Sequence, residues 1–186
     1  MIRLLVLGPL PPPVGGVETV TRAILDSPAF AEFDLRHCDT TKARPKHTQG
    51  KFDIGNCYWA LIHFSRMAKA VYSHKPQVVY MPLTATWSGF WRDVVLASIG
   101  RLGKAKIVGH VHAGWFGRLL KARGFVGWAV RRSLSLFDAL LMLGEVWRAQ
   151  LAEYGYQGKL YVVPPTYSAE VYREASRYMR QYDTSH

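Results

Sequence analysis

The sequence predicts an α/β fold, a parallel sheet with helices on both faces, and three observations predict it. Short β-rich runs are apolar throughout rather than alternating, as strands buried on both faces must be. Each is followed by a longer stretch with helical character, and strands that alternate with helices imply crossover connections and a parallel sheet. The chain has 186 residues with 49% hydrophobic and 20% charged content, which is the composition of a folded domain with a sizeable core. The crossovers are expected to be right-handed.

The elements follow in order. Ile2 to Gly8 reads as a buried strand, Val17 to Leu25 as a helix and Phe33 to Cys38 as a second strand. Thr40 to Asp53 is polar, basic and rich in Lys and His, so it reads as a mobile loop. Cys57 to Tyr72 is helical, with Leu61, Phe64, Ala68 and Val71 on one face. Gln77 to Met81 reads as a strand ended by Pro82. Trp87 to Leu102 is a helix apolar on nearly every side, hence expected to be buried. Lys106 to Val111 is a strand and Phe116 to Leu136 one long basic helix. Ala139 to Leu143, Val146 to Tyr154 and Leu160 to Val163 complete the pattern as strand, helix and strand, closed by Pro164-Pro165. Residues 1–166 thus form one domain, and 167–186 a polar tail, helical from Glu170 to Tyr182. No internal repeat or low-complexity segment interrupts it.

Cys38 and Cys57 are too few for a disulfide framework and lack the paired spacing of a zinc site. They read as reduced, largely buried thiols, which fits a cytoplasmic protein. The opening run Met1 to Leu10 ends in Pro11, Pro12 and Pro13 with no small-residue cleavage site, so it reads as a strand rather than a signal peptide. No stretch reaches the roughly 18 uncharged apolar residues of a membrane span, so any membrane contact is peripheral. The formal charge is +11. Such an excess attracts phosphates, whether in nucleic acid, anionic lipid or a phosphorylated substrate, and by itself does not choose among them.

Two motifs stand at strand ends. The first is Gly8-Pro9-Leu10-Pro11-Pro12-Pro13-Val14-Gly15-Gly16-Val17-Glu18. A glycine pair opening a helix lets backbone N–H groups approach an anion, and the helix dipole favours the negative charge. The sequence is neither the dinucleotide G-x-G-x-x-G pattern nor a Walker A loop, and a bare Gly-Gly also serves as a tight turn. Its place between strand and helix favours the phosphate-facing reading. The second motif is Ile107-Val108-Gly109-His110-Val111-His112-Ala113-Gly114-Trp115-Phe116. Strand alternation puts His110 and His112 on one face. No nearby Asp, Glu or Cys completes a metal site around them. A structural role and a hydrogen-bonding role in an active site both remain open.

Together these motifs resemble the family-4 retaining glycosyltransferases. Pro-Pro-x-x-Gly-Gly-x-Glu is similar to that family's opening loop, and strand-His-x-His-Ala-Gly to its later strand end. Leu143-Gly144-Glu145, Tyr154-Gly155 and Lys159-Leu160-Tyr161-Val162-Val163-Pro164 resemble the close of its N-terminal domain. The resemblance covers about residues 1 to 166. It implies one half of a GT-B fold, in which two Rossmann-like domains face each other, the first binding mainly the acceptor and the second the nucleotide-sugar. By position, Gly15 and Gly16 would set amides against the donor diphosphate. His112 best matches the family's strand-end His near the transferred sugar, and His110 is the second candidate. The implied reaction is retaining transfer of a hexosyl unit from a nucleotide-sugar to a lipid-linked or polysaccharide acceptor, without metal or other cofactor.

The sequence also departs from that pattern. Pro165-Thr166 stands where the family has Asn-Gly, and the donor-domain motifs do not occur. A donor-binding domain is then a missing partner, the chain alone is expected to be inactive, and the tail faintly resembles the region that crosses back in GT-B proteins. A truncated or internally deleted form is the expectation. The rival reading is a non-catalytic module binding a phosphorylated ligand or a partner protein.

The basic helix carries a third signal. Phe116, Leu119, Val126, Val130, Leu134 and Phe137 share a core stripe, while Phe125 and Trp128 fall outside it beside Arg118, Lys121 and Arg132. Exposed aromatics among cations are a membrane-interface pattern, here for an anionic surface. An ordinary solvated face would show the same residues. Nucleic acid suits the charge, but no helix-turn-helix, zinc or RNA-binding signature occurs.

Overall fold

The computed structural model describes residues 1–41, 54–112 and 116–164. Most of the expected basic loop, together with Gly114, Trp115 and the tail 167–186, lies outside the described residues. Six strands, β1 (Ile2–Gly8), β2 (Phe33–Asp39), β3 (Val78–Leu83), β4 (Lys106–Val111), β5 (Ala139–Met142) and β6 (Lys159–Val162), form one parallel sheet in the order β2-β1-β3-β4-β5-β6. Among the described residues six α-helices connect them: α1 (Gly16–Asp26), α2 (Ile54–His74), α3 (Trp87–Leu102), α4 (Phe116–Leu120), α5 (Gly124–Ser133) and α6 (Glu145–Glu153), with α4 and α5 both between β4 and β5.

Successive strand residues point to opposite faces, and the two faces are covered unequally. Leu5, Leu7, Val79, Met81, Ile107 and Leu140 project into the main core, against α2 to α6. Leu4, Val6 and Tyr80 face the other way, where α1 packs through Ile24 and Leu25. The parallel sheet covered on both faces is therefore as expected, with one described helix on the second face.

Several expectations needed correction. Strand β3 runs through Pro82 to Leu83. Pro82 is paired only towards β4, because the β1 ladder ends at Tyr80, so the missing N–H costs no bond on that side. Leu61 and Ala68 of α2 are exposed; the buried stripe is His63, Met67, Val71 and His74. His74 earns its place by bonding the Asp34 carbonyl at 3.1 Å. Helix α3 is buried on one side only, leaving Trp87, Val95 and Leu102 exposed. Cys57 is exposed; Cys38 is buried, and burial pushes its thiol up to about 11.

The long basic helix is broken. Helix α4 stops at Leu120, α5 starts at Gly124, and a 3₁₀ turn covers Leu134–Leu136. Gly124 has φ +62°, a left-handed conformation that ends helical continuity and suits glycine. Arg131 of α5 donates to the Leu120 and Ala122 carbonyls at 3.1 and 3.3 Å, satisfying the end of α4. The break rotates Val126 out of the expected core stripe to 47% exposure, while Leu120 becomes buried. A Cβ at Gly127 would overlap the Ala122 carbonyl. A glycine-to-alanine change inside a helix ordinarily stabilises by about 1 kcal/mol. Here the obstacle is backbone, so Gly127→Ala is expected to destabilise, by about 1–3 kcal/mol. Urea unfolding reads the sign, and a gain would mean the α4–α5 corner is not this tightly closed.

Candidate functional site

All strands run the same way, so their carboxyl ends share one edge. The strand order reverses beside β1: the chain steps out to β2, then returns to the other side of β1 as β3. The crevice beyond the strand ends at such a reversal is where open α/β sheets bind ligands. Three segments emerge there: residues 9–15 after β1, 84–86 after β3 and His112 after β4.

The first segment is tied down at its root. A Cβ at Gly8 would clash with Thr21 of α1, so glycine there lets the helix come down onto the strand end. The Gly8 carbonyl accepts from His37 Nε2 at 2.9 Å and from the Thr40 amide at 3.3 Å. The Leu10 amide donates to Thr41 Oγ1 at 2.9 Å. Gly15 is the N-cap of α1, in extended backbone, and no side chain caps the helix. Its first-turn N–H groups are thus directed off the helix end, with Glu18 already complementing the dipole. Neither glycine of the pair has a positive φ. A Cβ at Gly16 would meet nothing within 4 Å. Neither backbone conformation nor internal packing demands glycine at Gly16.

Asp93 governs the second segment, and no motif in the sequence singles it out. Its carboxylate, 1% exposed, accepts the Thr84 amide at 2.7 Å and Arg92 at 2.9 and 2.6 Å. Arg92 also donates to Thr84 Oγ1 at 3.1 Å. The carboxylate therefore fixes how the chain leaves β3. Gly89 has no Cβ where Thr84 and Thr86 fold over the first turn of α3.

The third segment holds the histidines. The rings of His110 and His112 lie 3.9 Å apart, tilted by 34°, on the α1 side of the sheet, as strand alternation predicts. His110 is 4% exposed and its Nδ1 is 2.7 Å from the Tyr80 hydroxyl. Burial, and secondarily the charge of His112, pulls His110 down to about 4; burial alone pulls His112 down to about 4. Both are neutral hydrogen-bonding groups near pH 7. No third His, Cys, Asp or Glu joins them among the described residues. Tyr80 and His110 also line an apolar cavity of about 420 Å³ between α1 and the sheet, with Val20, Ile24, Val108 and Leu141.

Residues 14–170 match the sequence profile of Glycosyltransferase Family 4. The chain belongs to glycosyltransferase family 4. The match spans most of its length and marks it as the N-terminal domain of the family's GT-B enzymes, with the Rossmann-like sheet described above. Membership makes this a glycosyltransferase domain, and the family's substrates are a nucleotide-sugar donor and an acceptor. No curated protein matches the chain.

In this family-4 domain, the glycine pair and the histidines sit on the same edge. Arg118, Lys121, Phe125, Trp128 and Arg132 lie elsewhere, on α4, α5 and the turn between these helices, which pack on the sheet face opposite α1. Phe125 and Trp128 are 77% and 56% exposed and stack on each other at 5.5 Å. Among the described residues no helix is long and apolar enough to cross a membrane.

Proposed function

We propose that this family-4 domain forms the acceptor-side half of a retaining hexosyltransferase acting on a lipid-linked or polysaccharide acceptor. The observation that carries the reading is Gly16. It opens α1 at the strand-end edge, within the residues that match the family, and among the described residues nothing in the fold requires glycine there. Close approach of a ligand explains it. In this reading Gly15 and Gly16 set backbone amides against the donor diphosphate, and neutral His112 hydrogen-bonds the transferred sugar, with His110 behind it. Retention requires the acceptor hydroxyl and the departing diphosphate on one face of the sugar, so the protein positions groups and stabilises charge on the leaving phosphate. Residues 1–166 are the domain, the donor-binding domain is a separate requirement for turnover, and the aromatic corner of α5 meets an anionic membrane surface.

Inorganic diphosphate tests the glycine loop. It is expected to shift the amide NMR signals of Gly15 to Val17, and Gly16→Ala should weaken that response while leaving thermal stability unchanged. With nucleotide-sugars of any type, the 186-residue chain alone should show no turnover. Robust transfer by it would overturn the half-enzyme reading, and an unshifted glycine loop would overturn the phosphate assignment.

A further inference from the structure

Tyr80, His110 and His112 come from two adjacent strands and the residue beyond one of them, and they touch in sequence. The Tyr80 hydroxyl meets His110 Nδ1 at 2.7 Å, with the rings edge to face at 5.9 Å. The His110 ring lies in turn against the His112 ring at 3.9 Å. The bond takes either form, Tyr80 O–H donating to Nδ1 or Nδ1–H donating to the Tyr80 oxygen, and each form belongs to one tautomer of His110. His110 Nε2 is buried and makes no hydrogen bond among the described residues. The His110 ring is held at one nitrogen and by its buried surroundings. His112 stands one residue past the end of β4, where no strand ladder fixes it, and the His110 ring is the flat surface it rests on.

We infer that Tyr80 and His110 are positioning residues, which hold the His112 imidazole in place at the sugar-binding edge. The assignment rests on the reading of His112 given above. Tyr80 fixes the tautomer and angle of His110, and the His110 ring fixes His112. The other side chains lining the cavity with Tyr80 and His110, among them Val20 and Ile24 of α1, Val108 and Leu141, are uncharged. Among the described residues, Tyr80 and His110 are thus the ionisable groups of the cavity wall, and His112 lies against the His110 ring. An imidazole kept dry by the stack stays unprotonated well below its usual range, so loosening the stack is readable as a titration.

The test uses imidazole ¹⁵N NMR of the chain itself, with signals assigned through His110→Phe and His112→Phe among the seven histidines. Wild type should show His110 in one dominant tautomer, and His112 titrating only as the pH nears 4. Tyr80→Phe removes one hydroxyl. It should mix the two His110 tautomers and raise the His112 midpoint by at least one pH unit, a tenfold change in proton affinity. His110→Ala should raise the His112 midpoint likewise, whereas His110→Phe, which keeps a flat ring, should leave it low. An unchanged His110 tautomer and His112 midpoint in Tyr80→Phe would overturn the inference. So would His110→Ala and His110→Phe behaving alike, and that pair decides the matter if Tyr80→Phe does not fold. The spectra need no donor or acceptor, so they stand or fall apart from the sugar-transfer reading.

Discussion

Asp93→Ala should lower the stability of the domain by about 3 kcal/mol, the lower end of what breaking a buried ion pair costs. Three donors lose their acceptor at once: the Thr84 amide and two nitrogens of Arg92. The Arg92 side chain is 21% exposed and can recover some solvation, which argues against a larger loss. For a domain of this size the change corresponds to a fall in Tm of roughly 6–12 °C. The effect should also be non-additive. Arg92→Ala removes the same ion pair, so the double variant should fall short of the sum of the singles by about 1 kcal/mol or more. Calorimetry on the four proteins checks this. A loss under about 0.5 kcal/mol for Asp93→Ala, the range of an ordinary surface change, would show that the exit from β3 is held by something else.

The strands were legible because burial on both faces leaves continuous apolar runs, and β1 and β4 keep their expected limits. Helix faces were less so, for a physical reason visible in α2. Its buried stripe includes His63 and His74, and histidine on a core face turns the apparent apolar direction towards Leu61 and Ala68. Trp87 to Leu102 misled in the opposite sense, since apolar residues all round a helix do not reveal that one side stays wet. The α4–α5 break carried a signal in Gly124, but its left-handed φ and the Arg131 bonds to α4 are tertiary facts. In the candidate site, Gly15, Gly16, His110 and His112 were picked out because strand ends and a resemblance pointed to them. Tyr80 and Asp93 were not. A tyrosine in an apolar strand looks like core, and a lone carboxylate on α3 has partners that only folding brings within reach.

The corner formed by α4 and α5 should bind anionic vesicles, and loss of its two aromatics should weaken that binding tenfold or more. Charge supplies attraction of about 1 kcal/mol per Lys or Arg near the surface, and Arg118, Lys121, Arg123 and Arg132 are exposed on these helices and the turn between them. Such attraction is screened over about 8 Å at physiological salt, so charge alone would give a weak, easily displaced contact. Phe125 and Trp128 change that balance, since fully burying one large apolar side chain is worth about 1.5–3 kcal/mol. Half of that from two residues already exceeds the 1.4 kcal/mol of a tenfold change. Their exposure and mutual stacking mean that little of this surface is committed to the fold. Phe125→Ala with Trp128→Ala should therefore leave Tm nearly unchanged, which separates membrane contact from structure. Co-sedimentation gives the measurement: binding to anionic but not neutral vesicles, falling as salt rises, and at least tenfold weaker in the double variant. A double variant that sediments like wild type would mean that α5 is not the anchor, and that its aromatics face some other partner.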